Sequence, residues 1–150
     1  MRPAEVFLRV GVTLVSWIMC YAHTLMLAVL PRTDCSESNA GLWEPTFYLA
    51  PLTALAVWAL GYGHNLREVA RWLTVPLILF AVLALLGTFP YLSHTTVNAH
   101  PACSLLNPAF TGTVVPGWQR AWAPVQLLVL LGIGWRVIQY WRTSRNQAES

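Results

Sequence analysis

Two histidines are the residues of this chain best placed to do chemistry. His23 falls inside the first long apolar run, and His94 lies just past the third. An ionisable side chain at membrane depth is costly and marks a functional candidate. If both stand at one level near the same membrane face, their imidazoles can ligate a b-type haem from two helices, or one can hydrogen-bond a quinone head group. Thr13, Ser16, Cys20 and Thr24 share a helical face with His23, because positions three and four apart align along a helix. This polar intramembrane face should turn toward a bundle interior, where hydroxyls bond between helices. His64 and His100 read as solvated loop residues. The spacing of His94 and His100 is too unspecific to define a metal site, so none is expected.

The three cysteines divide differently. Cys20 lies within the first apolar run, whereas Cys35 and Cys103 lie in the connections after the first and third runs. If those connections share an oxidising compartment, one cysteine in each reads as a single disulfide. It would close a loop of about 68 residues (35 to 103), which the chain-entropy model values at roughly 4 kcal/mol.

The elements that must position these residues are membrane spans. Hydrophobic residues make up 56% of the 150-residue chain and charged residues only 10%, against roughly 25% in soluble domains. The apolar runs cover about 10–30, 46–62, 72–92 and 121–140, and about 20 residues cross a hydrocarbon core of about 30 Å. The first run is too long for a signal-peptide core, and no small-residue cleavage pattern follows it. The chain therefore reads as all-α: one integral membrane domain over 1–150, an antiparallel bundle of four transmembrane helices. The short connection between the second and third runs should make those two helices neighbours.

Arginine placement sets the orientation. Arg2, Arg9, Arg67, Arg71, Arg136, Arg142 and Arg145 share one side, and only Arg32 and Arg120 fall on the other. The positive-inside rule puts both termini in the cytoplasm. Outer loops then cover 31–45 and 93–120. Trp43, Trp118 and Trp122 would mark the outer interface, and Trp72, Trp135 and Trp141 the inner one. The second outer loop is long and holds Leu105, Leu106, Phe110, Val114 and Val115. Loops of that length are functional or disordered, and this one is expected to form an ordered extracytoplasmic cap or to meet a partner.

Several function classes find no support. The basic residues are scattered, which argues against nucleic acid. No phosphate-binding loop, zinc-protease, nucleophile-elbow or C-x-x-C pattern occurs, and no acidic residue lies deep in a span, as ion pumping would need. Four spans, cytoplasmic termini and cysteines in both outer loops resemble, in outline, the bacterial quinone-dependent thiol oxidases that reoxidise the periplasmic disulfide-forming machinery. That family carries two cysteines per outer loop, with C-x-x-C in the first. Here the loops hold Cys35 and Cys103 alone. One pair cannot build a relay of two disulfides, so no catalytic residue is carried over.

The expectation is a non-enzymatic accessory or interaction subunit of the bacterial inner membrane. It would use its disulfide-stapled outer loops and helix faces to bind a larger membrane complex or an envelope protein. The alternatives are a redox protein with quinone or b-type haem at His23 and His94, and a membrane immunity or resistance protein.

Overall fold

The apolar runs fold into helices longer than the runs themselves. The computed structural model describes residues 3–29, 43–60, 67–110 and 114–146. Helix α1 spans Pro3–Val29, α2 Trp43–Ala59, α3 Arg67–Tyr91 and α4 Gly117–Asn146. The described residues contain no strand. Pro3 opens α1, where a missing N–H costs nothing, and Glu5 sits in the first turn, on the positive end of the helix dipole. Glu5 accepts from Arg9 at 2.7 Å, a half-buried i,i+4 pair of the kind that contributes about 0.3–0.5 kcal/mol.

Three segments are long and apolar enough to cross a membrane: Pro3–Val29, Trp72–Val97 and Gly117–Arg142. The four expected helices form, and three of them are candidate spans. Helix α2 has 17 residues, about 26 Å at 1.5 Å per residue, and falls just short. Large apolar side chains stand exposed along all four helices, among them Ile18, Leu52, Leu86 and Leu131. Hydrocarbon, rather than water, is the solvent that such a surface suits.

The helices run alternately up and down. Indole Nε1 of Trp122 donates to Thr46 Oγ1 at 3.0 Å, and the Tyr140 hydroxyl donates to the Leu60 carbonyl at 2.9 Å. These two bonds align α2 parallel to α4. Trp141 Nε1 donates to Thr74 Oγ1 at 3.2 Å at one end, and the Tyr91 and Trp122 rings meet at the other, so α3 and α4 are antiparallel. Tyr21 on α1 donates its hydroxyl to the Leu73 carbonyl on α3.

The neighbour relations differ from expectation. Helices α1 and α4 each pack against both α2 and α3. Helices α2 and α3 therefore face one another across the diagonal instead of lying side by side. Six residues, 61–66, intervene between the described ends of that connection. Their extended reach of about 20 Å exceeds the diagonal of about 13 Å expected for helices packed 8–10 Å apart. A short connection restricts the neighbour but does not dictate it.

Proline inside α2, α3 and α4 removes backbone donors, and the freed carbonyls need other partners. Pro124 leaves the Arg120 carbonyl without its helical donor. Thr96 Oγ1 supplies one at 2.7 Å. Arg136, which interrupts the fourth apolar run, donates to Gln139 Oε1 at 3.0 Å and to the Trp58 carbonyl at 3.3 Å. It thereby satisfies one of the last carbonyls of α2 with a cation at the negative end of that helix.

Two tryptophans expected at a membrane interface are core residues. Trp43 and Trp122 stack at 5.4 Å with a 20° interplanar angle, and the Tyr91 ring stands edge-on to both, at 4.7 and 5.8 Å. All three are buried, together with Leu27, Ala84, Ala102, Ala123 and Leu130. Three large rings packed at one level shield each other more fully than an interface could. Trp118 is half-buried against this cluster, whereas Trp72, Trp135 and Trp141 are exposed. Ala50 and Ala84 are buried, where small side chains let helices approach closely.

Helix α3 does not stop at the end of its apolar run. It continues as a π-helical turn over Leu92–Val97. Ala99 follows with φ 53°, the left-handed conformation that ends many helices. Two short 3₁₀ helices, Ala102–Leu105 and Pro108–Phe110, precede α4. Helix α4 starts at Gly117, so the connection is shorter than the 93–120 expected.

Candidate functional site

The polar face of α1 lies inside the bundle: Thr13, Ser16, Cys20, His23 and Thr24 are all buried. Most of its hydroxyls are spent locally. Thr13 Oγ1 donates to the Arg9 carbonyl at 2.7 Å, and Thr24 Oγ1 to the Cys20 carbonyl at 2.8 Å. Such bonds to the preceding turn hide a hydroxyl without joining two helices. Cys20 is the free cysteine among the described residues and is buried, a setting in which a thiol is inert.

His23 is the exception, because its ring joins three helices. Its Nε2 lies 2.6 Å from Gln126 Oε1 on α4, and its Nδ1 lies 3.1 Å from Thr53 Oγ1 on α2. The amide oxygen can only accept, so Nε2 carries a hydrogen and donates it. The neutral ring then accepts at Nδ1 from the Thr53 hydroxyl. Thr53 has the Leu49 carbonyl as a second acceptor, at 3.1 Å. The bond between His23 and Gln126 crosses the diagonal of the bundle.

Helix α3 carries a buried hydroxyl opposite Gln126. Tyr91 faces Trp122, and Ala84 and Leu130 share the same cluster, so Thr88 and Gln126 occupy facing positions on α3 and α4 midway between those pairs. Both are buried, and among the described residues neither Thr88 Oγ1 nor Gln126 Nε2 has a hydrogen-bond partner. Helices α1, α2 and α4 thus meet through one polar group, His23, Thr53 and Gln126. Gln126, Thr53 and Thr88 were not singled out from the sequence. Gln126 was legible there, since it is the amide within an otherwise aliphatic stretch of the fourth run, and polar residues at that depth carry a role.

His94 does not join His23. Leu27 and Tyr91 lie in one cluster. His23 sits four residues inward of Leu27, and His94 three residues outward of Tyr91. The two rings share no hydrogen-bond partner: His23 bonds Gln126 and Thr53, and His94 bonds Ser104. His94 Nε2 instead meets Ser104 Oγ at 2.7 Å, and Ser104 Oγ donates to the Pro101 carbonyl at 2.7 Å. With that hydroxyl hydrogen spent, His94 Nε2–H donates to Ser104. The His94 and His100 rings lie 5.3 Å apart, tilted by 38°. Among the described residues no group of three or more His, Cys, Asp or Glu is placed to hold a metal ion.

Cys103 sits on the 3₁₀ helix Ala102–Leu105, and Cys35 lies outside the described residues. The segment around Cys103 is fastened to the bundle. Ala102 is buried in the aromatic cluster, and its backbone N–H donates to Gln119 Oε1 at 3.3 Å. The opposite side of the segment is apolar and open, with Leu105 and Leu106 exposed there and Val97 and Val114 exposed on its flanks.

Chemically, the His23 layer is equipped to hold helices rather than to react. Both ring nitrogens are engaged, and axial ligation would require breaking a bond to Gln126 or Thr53. No family model, no curated protein and no solved structure matches the chain.

Proposed function

We propose that this chain is a non-enzymatic accessory subunit of a bacterial inner-membrane complex. Its termini lie in the cytoplasm, and it meets an envelope or membrane partner through the connection between α3 and α4. The carrying observation is an anchored segment with its apolar side turned outward. Leu106 is 44% exposed and Val114 94% exposed, whereas Ala102 and Ser104 on the same connection are buried. Apolar residues held outward by a fastened backbone are a surface that a partner covers. A bond between Cys35 and Cys103 is part of this proposal. It is supported by the burial of Cys20 as a free thiol, which leaves those two as the pair an oxidising compartment would join.

A photo-crosslinking residue at position 106 is expected to join one partner in native membranes. Leu106→Asp should lower the yield of that complex about tenfold, since burying one unpaired carboxylate costs more than 1.4 kcal/mol. Recovery of a monodisperse monomer with no crosslinked protein would overturn the reading.

A second reading, a redox protein holding a quinone, is favoured by one observation: the amide N–H of Gln126, whose oxygen bonds His23, is buried and unpartnered, as is the Thr88 hydroxyl on α3. A quinone carbonyl accepts from such donors. Solvent extraction of the purified protein that yields no quinone would remove it.

A further inference from the structure

A groove of about 620 Å³ runs between α3 and α4 on the outer surface of the bundle. Ile78, Ala81, Leu85, Leu130, Gly134 and Ile138 line it. A second hollow of about 390 Å³ shares Ile78, Val137 and Ile138 with the first and adds Trp141 and Arg142. The two form one channel, apolar along the first groove, where Trp135 joins the aliphatic side chains, and bounded by the Trp141 indole and the Arg142 guanidinium at the other end. The Trp141 indole is pinned there by its bond to Thr74. Arg142 is exposed at the mouth.

We infer that this channel binds one anionic phospholipid, with an acyl chain along α3 and α4 and its phosphate at Arg142. Two independent features select that occupant. The first is length. Leu130 to Arg142 rises about 18 Å along α4, which matches one leaflet, half of a core of about 30 Å plus its interface. A partner's transmembrane helix would need a groove through both leaflets. The second is charge. The channel carries a cation only where a lipid head group would lie, and Trp141 beside it is a residue type that favours that depth. Gly134 accounts for the depth of the groove. A Cβ built on it meets nothing within 4 Å, so the bundle's own packing does not require glycine there, although glycine weakens a helix. The inference rests on α3 and α4 crossing a membrane and is independent of any partner at Leu106.

The test is native mass spectrometry of the full chain, released from vesicles containing equal amounts of phosphatidylglycerol and phosphatidylcholine with identical acyl chains. Phosphatidylglycerol should be retained about fivefold more, the effect of one cation near an anionic surface. Arg142→Gln should bring the ratio close to one while lipid is still retained. Gly134→Leu, which fills open space, should lower retention of both lipids without lowering the melting temperature. Equal retention by the unaltered chain overturns the inference, as does a preference unchanged in Arg142→Gln. Retention unaffected by Gly134→Leu overturns it too, including when that variant instead releases a bound protein. Failure of the chain to enter vesicles at all would contradict the membrane reading itself, an outcome distinct from loss of lipid preference.

Discussion

Trp122→Ala is expected to destabilise the protein by about 3 kcal/mol, near the low end for removal of a buried large aromatic side chain. Trp122 is 1% exposed. It stacks on Trp43, meets the edge of Tyr91, and donates its indole hydrogen to Thr46. Its removal opens a cavity where three helices converge. In lipid the unfolded reference is also apolar, so the loss is mostly packing and hydrogen bonding, not transfer from water. That places the figure near 3 rather than 5. Trp122→Phe keeps a ring against Trp43 and loses the bond to Thr46, at a cost of about 1 kcal/mol. Reversible denaturation of the reconstituted protein in mixed micelles reads both. A cost below about 1 kcal/mol for the alanine variant would mean that the aromatic cluster does not hold the bundle.

The second large effect concerns the polar layer. Gln126→Leu removes the acceptor of His23 Nε2–H, which is otherwise a 2.6 Å bond. A buried donor left unmade costs about 1–3 kcal/mol in proteins generally. Interhelical bonds in lipid average about 0.6 and reach about 1.7 kcal/mol. Because His23 is buried and bonded to both α2 and α4, a loss of about 1.5 kcal/mol is expected. His23→Leu should cost a similar amount. The double variant should cost about 1 kcal/mol less than the sum, because neither partner is then stranded. Denaturation of the four proteins in one bilayer mimetic closes the cycle. Additivity to within about 0.3–0.5 kcal/mol would mean that the two side chains do not act as a pair.

Much of this architecture is visible in the residues, and the failures have physical causes. The apolar runs locate α1, α3 and α4 because composition alone decides whether a helix suits hydrocarbon. The polar spacing of Thr13, Ser16, Cys20, His23 and Thr24 marks one face for the same reason. What composition does not encode is which neighbour each helix meets. A connection that reaches a side-by-side helix also reaches a diagonal one, and the diagonal arrangement is what brings Gln126 to His23. Tryptophan is ambiguous in the same way. Trp43 and Trp72 have the same side chain near a helix start, yet one is core and the other is exposed, because only packing from other helices separates them. The bond between His94 and Ser104 depends on the π turn that follows Tyr91, and that turn has no apolar signature of its own.

The central claim is that His23 is a structural joint with both ring nitrogens engaged inside the bundle. Nitrogen-15 NMR of histidine-labelled protein in bilayers, assigned through His23→Leu, tests it directly. The account predicts a neutral His23 ring with Nε2 protonated and donating, Nδ1 accepting, a shift on Gln126→Leu, and no response to added haem or quinone. A ring nitrogen without a hydrogen bond, or a His23 signal that moves on adding either cofactor, would contradict it.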